Sequence, residues 1–122
     1  MNEISPKLQN QIAQFQQLQQ QLQSVLQQKF RMEAQLREIQ MTIEELGKTG
    51  EDATIYKNVG SLLIKARDKA SVLKDVEEDK ETLEIRIKAL DRQEKALREK
   101  YNSMQEQISK ALGQAGGPSA EN

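Results

Sequence analysis

The chain has 122 residues, 36% hydrophobic and 30% charged, with no tryptophan and two phenylalanines. That mixture suits long helices that bury a narrow seam and argues against a thick globular core. A net charge of −1 with few aromatics offers neither a basic stripe nor a stacking platform for nucleic acid, and the absence of cysteine and histidine removes disulfides, the usual zinc ligands and the commonest general base.

The opening "MNEISPKLQ" lacks the basic and apolar regions of a signal peptide, and no apolar run approaches the roughly 20 residues of a membrane span. The expected location is therefore cytoplasmic. Ser5 suits an N-cap and Pro6 the first helical position. From Ile4 to Leu46 one heptad register then holds without a skip. Its a positions are Leu8, Phe15, Leu22, Lys29, Leu36 and Ile43; its d positions are Ile4, Gln11, Leu18, Val25, Met32, Ile39 and Leu46. Eleven of these thirteen sites are apolar, which predicts a coiled-coil helix over 5–46. Gly47 follows as the expected residue past the helix end. Nine glutamines between Gln14 and Gln28 make the outer face neutral. Such a face is read first as a neutral, soluble helix surface; the alternative reading is a face able to lie beside flexible polypeptide without electrostatic selection.

The heptads lapse after Gly47. "GKTGED" resembles a phosphate loop only in its Gly-Lys-Thr; the upstream glycine such a loop needs is replaced by Thr42. The β-branched and aromatic run "ATIYKNV", then Gly60-Ser61, then "LLIKA" predict a β-hairpin within 53–67. Thr54, Ile55, Asn58, Val59 and Gly60 are poor helix formers in close succession, so a continuous helix is disfavoured. Ile55, Tyr56, Val59, Leu62, Leu63 and Ile64 put apolar groups on both faces of a hairpin that is marginal alone in water. Helices running away from it cannot cover both faces, and its edges stay open. Strands from other chains are the expected remedy, making this segment the assembly surface of an obligate oligomer.

A second heptad run follows, with a positions Leu73, Lys80, Ile87, Glu94, Tyr101 and Ile108 and d positions Val76, Leu83, Leu90, Leu97, Met104 and Ala111. It predicts a helix over 72–112, with Ser71 and Asp75 both able to cap its start and Gly113 suiting its end. Glu84/Lys88, Asp91/Lys95, Glu94/Arg98 and Glu106/Lys110 are spaced for pairs along the helix. Residues 113–122 read as a disordered tail, and 1–112 as a single domain. Folding the helices back with Leu46 against Leu73 pairs Ile43 with Val76, Leu36 with Leu83, Leu22 with Leu97, Phe15 with Met104 and Leu8 with Ala111. Every a site meets a d site, and Lys29 lies about one turn from Glu94, within reach across the seam. The fold class expected is mainly α: an antiparallel coiled-coil hairpin with one small β-hairpin between the helices. Parallel dimers through each helix are the structural rival. At the chain ends, Ile4, Leu8, Ile12 and Phe15 face Met104, Ile108 and Leu112, with Ile12 and Leu112 at e positions that widen the apolar band. Ordinary coil packing accounts for the a and d members; a partly exposed tip able to hold non-native chains accounts for the whole set.

Together, "NQIAQFQQLQQQLQ", "YKNVGSLLI" and "RIKALDRQEKAL" resemble the β-type subunits of archaeal prefoldin over nearly the whole chain. The α-type subunits carry two hairpins, and one short hairpin fits the β type. The resemblance implies a hexamer of two α-type and four β-type subunits, joined by hairpins in a β-barrel platform. It implies an ATP-independent holdase that captures unfolded protein at the coil tips and passes it to a group II chaperonin, with no cofactor, no catalysis, no nucleic acid and no membrane. Ile55, Tyr56, Val59, Leu62 and Ile64 would build the platform; Ile4, Leu8, Ile12, Phe15, Met104, Ile108 and Leu112 would form the tip. A structural coiled-coil scaffold or adaptor with one dedicated partner is the alternative function.

Overall fold

The computed structural model describes residues 4–116, with the side chains of 114–116 left aside. Helix α1 spans Pro6–Lys48, strands β1 and β2 span Tyr56–Val59 and Leu62–Lys65, and helix α2 spans Lys69–Gly116. Two long helices thus enclose a two-stranded antiparallel hairpin in the sequence. The contacts divide into two units. One joins the described residues up to Gln28 with those from Leu90 onward; the other is Lys29–Ala89.

Within each unit the heptad pattern becomes burial. Every a and d position from Leu8 to Leu46 and from Leu73 to Ala111 is buried or half-buried. The most enclosed side chains of the first unit are Leu8, Leu18, Val25 and Leu90; in the second they are Leu46, Val72 and Leu83. In each unit the seam is thin, because two helices share only one stripe each. In the first unit the rings of Phe15 and Tyr101 stack at 4.7 Å between centroids. Phe15 thus meets the a residue three places before Met104, the partner expected from register alone. In the second unit Ile39 of α1 and Leu83 of α2 border one groove.

The helix ends depart from expectation in three places. Gly47 lies inside α1, which ends at Lys48. No left-handed glycine is used there, because Thr49 takes over the capping. Its N–H and its Oγ1 both donate to the Leu46 carbonyl, at 3.2 and 2.8 Å. Lys69 Nζ then donates to the Thr49 carbonyl at 2.8 Å, holding the first turn of α2 against the end of α1. The second departure is the start of α2, three residues earlier than 72. Neither Ser71 nor Asp75 is its cap: Asp68 is, with Oδ1 accepting from the Ser71 N–H at 2.7 Å while Ser71 Oγ donates to the Asp68 carbonyl at 3.2 Å. This earlier turn brings Val72, a g residue outside the expected seam, into the buried set. The third is the far end, where α2 passes through Gly113 to Gly116. One glycine costs a helix about 1 kcal/mol and does not by itself stop it. The expected tail is therefore helical over 113–116, and its remainder, 117–122, lies outside the described residues.

Candidate functional site: an open hairpin and the paired helix ends

The hairpin is built on Gly60, whose φ of +61° is the only positive φ among the described residues. With Ser61 at negative φ, this is the φ pattern of a type II′ turn, whose twist matches that of the flanking strands. The register follows: Val59 opposite Leu62, Asn58 opposite Leu63, Lys57 opposite Ile64 and Tyr56 opposite Lys65. The Ala66 N–H donates to the Ile55 carbonyl at 2.8 Å and extends the ladder by one pair. One face therefore carries Ile55, Lys57, Val59, Leu62 and Ile64, and the other Tyr56, Asn58, Leu63 and Lys65.

All eight strand residues are exposed, Leu63 at 66%. Of the six residues expected to assemble a larger sheet, Tyr56, Val59, Leu62, Leu63 and Ile64 stand open, and Ile55 is half-buried at the hairpin's base. Lys57 Nζ meets Asp75 Oδ2 at 2.9 Å and ties the inner face to α2. Both partners are about half exposed, so the pair orients the hairpin more than it stabilises it. The sequence offers Asp75, beside Ser71, as a cap and gives no sign of this pairing, because no local spacing rule links residues 18 apart.

At the chain ends, Ser5 Oγ accepts from the Leu8 N–H at 3.1 Å, and the Ser5 carbonyl accepts the first helical bond from Gln9 at 2.9 Å. This cap stands as the Ser5-Pro6 pair foretold. The seven expected tip residues do not share one exposure. Leu8 is buried in the seam; Ile12, Phe15, Met104 and Ile108 are half-buried; Ile4 and Leu112 are exposed at 39% and 45%. Phe15 is occupied on one face by Tyr101. What the ends display to solvent is a small apolar rim over a packed layer. Of the predicted pairs along α2, Arg98 Nε–Glu94 Oε2 forms at 2.7 Å and Lys110 Nζ–Glu106 Oε1 at 3.4 Å.

Three exposed apolar residues escaped the sequence reading: Phe30, Met41 and Ile85. They occupy b and f positions, which a seam count passes over; a large apolar residue at an outer heptad position is the signal that finds them. Among the described residues there is no carboxylate cluster able to hold a metal, and no helix is long and apolar enough to cross a membrane. Asp68 has its pKa lowered below the ordinary 3.8, chiefly by the Ser71 backbone N–H and then by the Ser71 side chain. That shift belongs to a helix cap.

Two long helices flanking an exposed two-stranded hairpin define the class of this fold. The family described as "Prefoldin subunit" matches residues 9–115, and the chain belongs to it. Its relatives are β subunits of archaeal prefoldins. It is 45% identical over 117 residues to "Prefoldin subunit beta" of Archaeoglobus fulgidus, covering 96% of this chain and all of the relative. It is 46% identical over 112 residues to that of Methanosarcina acetivorans, covering 92% and 95%. Among solved structures, the prefoldin beta subunit from Thermococcus strain KS-1 matches with a TM-score of 0.82 at 40% identity, over 92% of this chain and 97% of that one. The chain therefore has the role of a prefoldin chaperone subunit, and it assembles into prefoldin complexes.

Proposed function

We propose that this subunit works as part of an ATP-independent holdase, in a hexamer of two α-type and four β-type subunits, and delivers unfolded polypeptides to a group II chaperonin in the cytoplasm. The observation that carries the holdase reading is the apolar rim at the paired helix ends. Ile4 and Leu112 are open there, beside half-buried Ile12, Phe15, Met104 and Ile108. Each such contact is weak, so capture depends on several subunits acting on one client. Leu8 joins the client surface only when the end layer loosens, since it is buried while the helices are closed. Methionine at 104 suits a surface that must fit many sequences. The hairpin residues Ile55, Tyr56, Val59, Leu62, Leu63 and Ile64 supply the joint that brings the subunits together.

The test is light scattering of a denatured client diluted into the complex of this chain with an α-type partner, without nucleotide. Suppression of aggregation is expected. It is expected to fall when Phe15, Met104 and Ile108 are replaced by serine while the assembled mass is unchanged. Equal suppression by the serine variant, or none by the native complex, favours the scaffold alternative.

A further inference from the structure

The hairpin's register shows where its open edge lies. The Ala66–Ile55 bond makes Ile55 and Ala66 a hydrogen-bonded pair, and alternation makes Lys57/Ile64 and Val59/Leu62 the next two. The N–H and C=O groups of Tyr56 and Asn58 therefore point away from β2, to the free edge of β1. A groove of about 540 Å³ opens there, with Ile55 and Tyr56 on one side, Met41 and Leu46 of α1 on the other, and Glu38 and Glu45 also in its lining. Ile55 and Tyr56 lie on opposite sheet faces, yet both border it, and no β2 residue does. The groove thus flanks the strand edge and continues it onto the helix. Met41 is 64% exposed at an f position, where a coil turned toward water has no use for a methionine.

We infer that this groove is a side-chain socket for the partner strand that pairs with β1. A strand added to a sheet edge gains affinity from main-chain bonds and specificity from pockets for its side chains. Here the backbone groups of Tyr56 and Asn58 supply the bonds, and the space between Met41 and Tyr56 takes one apolar side chain from just beyond the paired stretch. The occupant is a hairpin strand of the α-type subunit, so the inference rests on the assembly proposed above. It extends the joint from the hairpin onto the last two turns of α1.

Because the chain has no cysteine, Met41→Cys provides a single alkylation site. Its reaction with iodoacetamide, read by the mass of this chain, is expected to slow at least about tenfold when the α-type subunit is added. Ile85→Cys, equally open at 61% on α2, is expected to keep its rate. Met41→Asp is expected to weaken hetero-assembly about tenfold or more by native mass titration, with helical content unchanged. Full reactivity at Met41→Cys within an assembled complex overturns the socket. So does protection that appears with this chain alone at raised concentration, or only with a denatured client. Leu63→Asp separates the two levels: if it breaks assembly and Met41→Asp does not, the socket fails and the hairpin joint stands; if neither does, the joint itself fails.

Discussion

The seam of the two helices and the hairpin between them contain similar residues with opposite fates. Leu18, in the seam, is 3% exposed, while Leu63, in the hairpin, is 66% exposed. Both are leucines in regular structure whose pattern called for burial. The difference lies in supply. A heptad stripe finds a matching stripe on the chain's own second helix, whereas a sheet with two apolar faces and two open edges finds neither here. Apolar residues that a chain does not cover by itself offer a contact surface, and in the assembly proposed above they form the joint.

The seam and the hairpin are expected to respond differently to truncation. Leu18→Ala is expected to lower the stability of the helices by about 2–4 kcal/mol, because it leaves a cavity in a packed layer. Denaturant unfolding followed by helical circular dichroism measures this, and a loss near zero would mean the seam is not the main source of stability. Gly60→Ala is expected to act on the other region. It places an L side chain at a φ of +61°, at a cost of about 1–2 kcal/mol, although open space surrounds the site. That cost is expected to appear as weaker assembly with the α-type partner, with the helical melting temperature unchanged.

The smallest effect sharpens the boundary between the regions. The Asp68 carboxyl has a folded pKa below its unfolded value, so its capping contribution is fully present above the ordinary 3.8. It is lost as the pH falls through the lowered value. Asp68→Asn keeps an acceptor for the Ser71 N–H without titrating. It is therefore expected to flatten the acid limb of stability below about pH 4 and to change little at neutral pH. An unchanged acid limb would show that the Asp68 charge adds nothing to the start of α2.

Much of this molecule was legible from local rules. The Ser5 cap, both heptad registers and the Gly60-Ser61 turn each depend on residues within a few places of one another. The ends were less so. Gly47 and Gly113 carry the usual signal of a stop, yet α1 ends on Thr49 and Lys69, and α2 runs on to Gly116. Likewise Asp68 and not Ser71 caps α2, since the choice among neighbouring caps depends on where the chain leaves the hairpin. In the hairpin, the exposure of Tyr56, Val59, Leu62, Leu63 and Ile64 was readable because alternation puts apolar groups on both faces, whereas Ile55 is half-buried. The order of exposure at the helix ends was not readable, because Leu8 and Ile4 carry equal apolar signals in sequence.

From the sequence alone came two matching heptad stripes and a break of β-formers between them. Periodicity, turn chemistry and side-chain inventory are properties of adjacent residues. Tertiary structure decided what depends on distant ones: the Lys57–Asp75 tie, the Lys69 clamp on Thr49, the stacking of Phe15 on Tyr101, and the groove between Met41 and Tyr56. Each of these joins residues separated by more than a dozen positions, and only packing fixes which of many such pairs come together.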